Sequence, residues 1–330
     1  MYPIIGQCIN EVRIDGDLER LYQDLKVMAL WELDAVEIPP HGLDVIKNGR
    51  LSMRQMREIE KILNDFDFIY TVHAPNPINL MDTTELDLHE RALEATLEFA
   101  SRINSRIVVV HSGRFLAEES FCGYSGKGIS AAHKTKMLHQ EARLVRGLAE
   151  RWPNLYICLE NARPYRYHSP YCYAERLDQL REHIQSIDRP NVRITLDLGH
   201  AWLSSNFYGF DYLEAISDIS SLVFHVHVHD NFGRAVYYTE KQQTHQIPLG
   251  RGDSHMPIGW GNIPVEEALA LLIPQYRGIL MMELRGRYFK YIPEAVAKLK
   301  EILERINRRT EKAEKYQFSK DCYRRLGAQA

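Results

Sequence analysis

The sequence has few cysteines, no long apolar run and no large excess of charge of either sign. The five cysteines are an odd number without a Cys-x-x-Cys pair, so we expect free, structural thiols. No apolar run approaches the ~20 residues that span a bilayer, and the first residues lack the basic start and apolar core of a signal peptide. These absences predict a cytoplasmic protein without a membrane segment. A formal net charge of -3 also offers no general attraction to nucleic acid.

What the sequence does contain is an alternation of short Val/Ile-rich runs with longer segments of helical periodicity, which is typical of repeated βα units. The strand candidates are "IIGQCI", "AVEIPP", "FIYTVHAP", "RIVVVHSG", "LYICLEN", "VRITLDLGH", "LVFHVHVHDN" and "GILMMEL". Eight such units favour a (β/α)8 TIM barrel over an open sheet, and no G-x-G-x-x-G follows the first strand. We therefore predict one α/β domain over 1–330, with the barrel at about 4–304 and a helical tail at 305–330.

Three connections after strand candidates are unusual in length or composition. The connections after the fourth and seventh strands contain "RFLAEESFCGYSGKGISAAH" and "YYTEKQQTHQIPLGRGDSHMPIGWGNIP", and the one after the fifth contains the aromatic-rich "ARPYRYHSPYCY". In a barrel these loops lie on the catalytic face. We expect them to cover a small polar ligand.

Residues of metal-ligand type stand at or just beyond the ends of consecutive strand candidates, where a barrel has its active-site floor. They are His73, His111, Glu160, Asp197, His200, His227 and Glu283, and the long loop after the seventh strand adds Asp253 and His255. Each alone would be an ordinary polar residue, but many buried ionisable groups together are costly without a cation. Imidazole and carboxylate suit zinc, manganese or iron. The pattern predicts a divalent-metal site.

The stretch "HVHVHDNFG" places three histidines on one face of the seventh strand, because side chains alternate with a period of two. His225 would lie deepest in the barrel, His227 near the rim, and His229 at or beyond the strand end. Periodicity alone leaves the choice of a metal ligand among them open.

Several strings in this order resemble the xylose isomerase-like TIM-barrel superfamily, which includes endonuclease IV and the sugar phosphate isomerases and epimerases. They are "VHAPNPINL", "VVHSG", "CLENA", "LDLGHA", "HVHDN", "GDSHMPIGWGNI" and "MMELRG". The resemblance covers about 4 to 300. Its most specific parts are the "HAP...INL" segment, the Asp-x-x-His of "DLGH" and the Asp-x-His before a Gly-x-Gly turn.

The resemblance implies one to three divalent ions, zinc or manganese, in one of two alternative arrangements. The nuclease pattern implies three zinc ions: one on His73 and His111, a second on Asp197, His227 and Glu283, with Glu160 bridging these two, and a third on His200, Asp253 and His255. The epimerase pattern implies a single divalent metal on Glu160, Asp197, His227 and Glu283, with His200 in contact with the substrate. Both patterns select His227 over its two neighbours.

Departures from the nuclease favour the epimerase branch. Asn76 and Pro77 stand where endonuclease IV carries a Tyr-Leu pair that opens DNA, and the segment after the first strand lacks its DNA-contacting arginine pattern. We therefore predict a sugar or sugar-phosphate isomerase or epimerase working through a metal-stabilised enediolate. A zinc phosphodiesterase of the endonuclease IV type is the alternative, and a barrel that binds metal or sugar without turnover is a third possibility.

The predicted roles follow from position and chemistry. Glu160 and Glu283 would shuttle a proton as base and acid, and His200 would orient a substrate oxygen. Arg163, Arg166, Arg285 and Trp260 are candidates for contacts with phosphate, hydroxyl or sugar ring. The expected partner is a small sugar-like molecule, nucleic acid is disfavoured, and the basic tail leaves a homo-oligomer open.

Overall fold

The computed structural model describes residues 3–123, 128–237 and 244–327. Parts of the long connections after the fourth and seventh strands, and the end of the predicted tail, lie outside them. Within the described residues, parallel strands close into an eight-stranded barrel in sequential order. Their bounds are β1 Ile4–Cys8, β2 Ala35–Ile38, β3 Ile69–His73, β4 Ile107–His111, β5 Tyr156–Glu160, β6 Val192–Asp197, β7 Val223–Val228 and β8 Ile279–Met282. The predicted TIM-barrel fold is confirmed.

The helices surround this barrel and fill the connections. They are α1 Glu11–Ile14, α2 Leu18–Met28, α3 Met53–Asn64, α4 Leu86–Arg102, α5 Ala131–Arg151, α6 Leu177–Ile187, α7 Leu198–Tyr208, α8 Tyr212–Ile219, α9 Val265–Leu272 and α10 Ile292–Gly327. A short antiparallel hairpin pairs Ile46–Lys47 with Arg50–Leu51 before α3. Among the described helices, none has a stretch long and apolar enough to cross a bilayer.

The strands form where the sequence offers β-branched residues that can be buried on both faces. In β4 the run from Ile107 to Val110 is entirely buried between the barrel interior and the outer helices. The outer helices are amphipathic instead, as in α3, where Met56, Ile59 and Leu63 face the core at helical spacing. The strands are thus buried on both faces, whereas the outer helices are buried along one stripe only.

Closure of the ring depends on β1, which pairs with both β8 and β2. Ile4 lies opposite Ile279 and Gly6 lies opposite Ala35. A Cβ atom on Gly6 would lie 2.7 Å from Cε of Met281 and 2.9 Å from the Ala35 carbonyl oxygen. Only glycine therefore fits at this point of close strand approach.

The last helix runs without a break through position 304, where the sequence predicted that the barrel ends. Ile306 is still buried in the main core, and Arg305 forms an ion pair with Glu266 at the start of α9. The first part of the predicted tail is therefore packed on the barrel.

Candidate metal centre and active site

Three carboxylates from strand ends surround one nitrogen of His227, which itself lies near the end of β7. Its Nδ1 lies 3.3 Å from Glu160 Oε1, 3.5 Å from Glu283 Oε2 and 3.9 Å from Asp197 Oδ2. His227 and Asp197 are fully buried, whereas a quarter of the Glu283 side chain is exposed. We call His227, Glu160, Asp197 and Glu283 the inner group. The structure brings together the four residues that both metal arrangements share.

The end of β6 shows why the string "DLGH" has its spacing. Asp197 is the last residue of β6 and the N-cap of α7, where its Oδ1 accepts a hydrogen bond of 2.7 Å from the backbone N–H of His200. A Cβ on Gly199 would lie 2.1 Å from the His229 ring, so that ring needs the glycine. One turn of helix thus presents Asp197 and His200 to the site.

Behind His227, a buried glutamate fixes the orientation of the ring. Glu37 Oε1 lies 3.0 Å from Nε2 of His227, and its Oε2 lies 3.1 Å from Nε2 of His225. Cys8 and Thr71 donate further hydrogen bonds to the same carboxylate. With Nε2 directed at Glu37, His227 turns Nδ1 towards the three carboxylates.

A second group adjoins the inner group through Glu160. His73 Nε2 lies 3.5 Å and His111 Nε2 lies 3.2 Å from Glu160 Oε2. His73 Nδ1 donates to the Ala74 carbonyl at 2.8 Å, which leaves Nε2 facing the carboxylate. Within the described part of the chain, Oε2 of Glu160 is buried without a hydrogen bond. Such an orphaned oxygen between two imidazoles suits a cation.

The third group consists of His200, Asp253 and His255, all buried. Asp253 Oδ2 lies 3.0 Å from His200 Nε2 and 2.6 Å from His255 Nε2. His255 has a left-handed backbone with φ of 44°, which is unusual for a non-glycine residue. The guanidinium of Arg163 enters this group, with Nη1 3.3 Å from His200 Nε2 and 3.7 Å from Asp253 Oδ2.

The electrostatics of the cluster keep its carboxyls ionised. Burial opposes the charge on Asp197, but His200 and His229 outweigh it and lower its pKa to about 2. The pKa of Glu160 is likewise well below its usual range, because the charges of His227 and His111 outweigh burial. Burial also opposes a proton on His73, yet Glu160 raises the His73 pKa to about 9. Protons on imidazoles thus balance the carboxylates where a metal would otherwise do so.

A cavity of about 400 Å³ opens above the inner group between the loops that follow β1 and β8. Its floor includes Glu37, His73, His255 and Glu283, and Arg285 stands in its wall. Glu160 lines a separate small pocket of about 20 Å³ together with Arg163 and His200. The two predicted acid/base glutamates therefore line different pockets, although both lie beside Nδ1 of His227.

Of the other residues predicted to contact substrate, some line these pockets and others lie away from them. Arg163 and Arg285 line the pockets described above, and Arg285 donates to the Asp253 carbonyl at 2.9 Å. Arg166 is exposed and donates to the hydroxyl of Tyr237 instead.

Trp260 is not among the described residues that line the cavity. It packs on Tyr288 and Tyr291, and its Nε1 donates to Glu294. The structure therefore gives Trp260 an anchoring position at the start of α10.

His229 also contacts the inner group, which its place in the sequence did not predict. Its Nε2 lies 3.0 Å from Asp197 Oδ2, and its ring stacks on His255 at 4.1 Å between centroids. The alternation of "HVHVH" put this ring on the correct face, but strand periodicity carries no information beyond the last strand residue. Its neighbour Gly199, in "DLGH", was the available signal.

The residues present fit a divalent metal. The inner group offers one imidazole nitrogen and three carboxylate oxygens in a buried site, which suits manganese, iron or zinc. His227 has the buried carboxylate partner, Glu37, that commonly orients a histidine ligand.

Comparisons with known proteins point to one superfamily. The family model described as xylose isomerase-like TIM barrel matches residues 25–309. An uncharacterized protein of Methanocaldococcus jannaschii, MJ1311, is 27% identical over 305 residues, which cover 90% of this chain and 89% of the relative.

Two solved structures share the fold at low sequence identity. A D-tagatose 3-epimerase-like protein has a TM-score of 0.68 and 22% identity, covering 93% of this chain and 99% of that chain. An L-ribulose 3-epimerase has a TM-score of 0.66 and 14% identity, covering 94% and 98%.

Proposed function

The chain belongs to the xylose isomerase-like TIM-barrel family, and from this premise we propose that it is a metal-dependent isomerase or epimerase of a sugar or sugar phosphate. The observation that carries the proposal is the convergence of Glu160, Asp197, Glu283 and His227 Nδ1 beside a cavity of about 400 Å³. Such a volume suits a small ligand. The names of the structural neighbours that act on ketoses support the same reaction class.

Proton transfer is the step that this chain's own residues would perform. A divalent ion, zinc or manganese, held by the inner group would stabilise negative charge on adjacent substrate oxygens. Glu283 lines the larger cavity and Glu160 the smaller pocket, and oxygens of both lie within 3.5 Å of His227 Nδ1, so both carboxylates would lie beside a substrate bound at the metal. One takes the proton from carbon and the other returns it. Both stay ionised in the metal-free protein, because nearby histidines hold their pKa values below the usual range.

Substrate recognition would fall to side chains around these glutamates. Arg285 stands in the cavity wall, where a guanidinium can bind two oxygens of a phosphate or of neighbouring hydroxyls. His200 Nδ1 lies 3.6 Å from Glu160 Oε1, so a substrate oxygen beside Glu160 would also be near His200. Arg166 and Trp260 have no part in this proposal.

The test is solvent exchange at carbon. Metal-loaded protein is incubated in D2O with ketoses, ketose phosphates and keto-inositols, and deuterium at the carbon next to the carbonyl is followed by NMR. We expect exchange with one substrate class, and a loss of about 100-fold or more in both Glu160→Gln and Glu283→Gln, since a general acid or base typically contributes at least that much.

The matched control is Glu98→Gln, an exposed glutamate on α4 that pairs only weakly with Arg102. It should keep full exchange activity. Exchange that survives in both site variants would contradict the proposed roles. Absence of exchange across the whole panel, in protein that carries metal, would leave the non-catalytic binding barrel as the better description.

A phosphodiesterase of the endonuclease IV type remains the second candidate, because His73 and His111 extend the inner group through Glu160. The Asn76 segment argues against it, since the Asn76 carbonyl accepts from Arg114 and ties this segment to the next loop. Cleavage of abasic-site DNA by protein carrying three zinc ions per chain would support this candidate, and its absence would exclude it.

A further inference from the structure

The third group has the composition of a metal site, yet it already contains a cation from the chain. His200, Asp253 and His255 place their ligand atoms within 4.8 Å of one another. The Arg163 guanidinium lies at the same place, with Nη1 3.3 Å from His200 Nε2 and 3.7 Å from Asp253 Oδ2. A metal bound to these two atoms would have to share their space with Nη1.

The Arg163 side chain is held in this position. It is 6% exposed, and its Nη2 donates to the hydroxyl of Tyr165 at 3.1 Å. The same hydroxyl donates to Glu118 Oε2 at 3.1 Å, so the arginine is connected to the loop after β4. Tyr165 is fully buried and its backbone N–H is bonded to Ser169. The loop after β5 is thus built around a guanidinium directed at the third group.

The charges in the third group also favour the guanidinium of Arg163 over a metal ion. Asp253 is fully buried, and a buried carboxylate needs partners of opposite charge, which here are the imidazoles of His200 and His255 and the guanidinium of Arg163. An arginine supplies that charge permanently, since it does not lose its proton in proteins. A divalent ion a few ångströms from the guanidinium would be repelled by it, and this repulsion is stronger in a buried site than in water.

We infer that Arg163 is the resident cation of the third group, so that this group binds a guanidinium in place of a metal ion. Of the three groups described above, only the inner group and the group of His73 and His111 would then hold metal. It deepens the proposed function, on which it rests for the presence of metal at the inner group. Arg163 is then a positioning residue that keeps Asp253 and His200 in place without an exchangeable ion.

The experiment counts ions. Wild type, Arg163→Met, Arg163→Gln and Arg163→Lys are equilibrated with the same excess of Zn²⁺, freed of unbound metal, and analysed by elemental analysis and native mass spectrometry. We expect the two neutral variants to gain one ion per chain relative to wild type and the lysine variant to gain none. Adding Asp253→Asn to Arg163→Met should remove the extra ion. Arg166→Gln, which changes an exposed arginine of the same loop, should keep the wild-type count.

Two results would overturn the inference. One is a wild type that loses an ion on Asp253→Asn, because the third group would then hold metal beside Arg163. The other is a folded neutral variant that gains no ion. If neither neutral variant folds, as judged by circular dichroism, the comparison of wild type with Asp253→Asn decides the question. A wild type without any metal would contradict the proposed function, while an ion gained by Arg163→Met would still support the inference.

Discussion

Glu37 is the residue on which the orientation of the candidate ligand His227 depends. Its carboxylate accepts hydrogen bonds from Cys8, Thr71, His225 and His227 inside the barrel. The bond to His227 Nε2 leaves Nδ1 facing the inner group. A carboxylate in this position makes a histidine a better metal ligand, because it fixes the tautomer and increases basicity.

We predict that Glu37→Gln weakens Mn²⁺ or Zn²⁺ binding by roughly 10- to 100-fold, which is the usual effect of losing such a partner. The amide keeps the size of the side chain but not the charge that holds the Nε2 proton. The dissociation constant is measured by competition with a chromogenic chelator.

Thr71→Val is the control for this prediction. It removes one hydrogen bond to Glu37 and leaves the contact with His227 intact, so metal affinity should be unchanged although stability falls by about 1 kcal/mol. An equal loss of affinity in both variants would show that general loosening of the barrel interior, and not the orientation of His227, is responsible.

Among the elements, the start of α7 combines a helix cap, a candidate ligand and a close packing contact within four residues. Asp197 caps the helix and belongs to the inner group, and His200 follows one turn later in the third group. The absence of a side chain at Gly199 admits the ring of His229. Changes in this turn should therefore affect folding and metal binding together.

We predict that Gly199→Ala destabilises the protein by about 1–3 kcal/mol, because the new methyl group overlaps the His229 ring and the packing around it must shift. The shift also moves Asp197, so metal affinity should fall as well. Urea unfolding and the chelator assay measure the two effects.

Gly147→Ala is the matched control, since this glycine lies inside α5 and a Cβ there meets only the tip of Arg151 at 3.7 Å. It should be neutral or stabilising by up to about 1 kcal/mol. Similar destabilisation by both substitutions would contradict the proposed contact with His229.

How much the sequence predicts differs between strands and loops. The candidate ligands at the strand ends were predictable, because the alternation of strands and helices determines which end of each strand faces the active site. This placed the candidate ligands from β3 to β8 on one face of the barrel. Loop residues were not, because no period governs their side-chain direction. Arg166 and Trp260 therefore looked equivalent to Arg163 and Arg285 in the sequence. Periodicity could not choose among His225, His227 and His229, because the orientation of the His227 ring depends on Glu37, 190 residues earlier in the chain.

At the scale of the whole molecule, a concentration of buried carboxylates should make folding depend on metal. We predict that chelation of the bound ion lowers the midpoint of thermal unfolding, since an ion at 100 times its dissociation constant stabilises the folded state by about 2.7 kcal/mol. Differential scanning calorimetry with and without chelator measures the difference, and re-addition of the ion should restore it.

The difference in the midpoint of thermal unfolding between metal-loaded and chelated protein should also grow as the pH rises towards about 9. In the metal-free protein Glu160 outweighs burial and raises the pKa of His73 to about 9, above its unfolded value, so the stabilisation from this proton is lost as pH rises through that range. A metal competes with the same proton and binds more tightly at higher pH. An effect of chelator that is independent of pH would contradict the assignment of His73 as a ligand, and Asp197→Asn should respond weakly to chelator at any pH.

The order of the inner group along the chain has a consequence for synthesis. Glu160, Asp197, His227 and Glu283 come from β5 to β8 in that order, while Glu37, which orients His227, is made first. A nascent chain that has left the ribosome as far as β4 therefore has the orienting carboxylate but no member of the inner group. Completion of this metal site must await the last strand of the barrel, so the metal does not guide the early folding of the barrel.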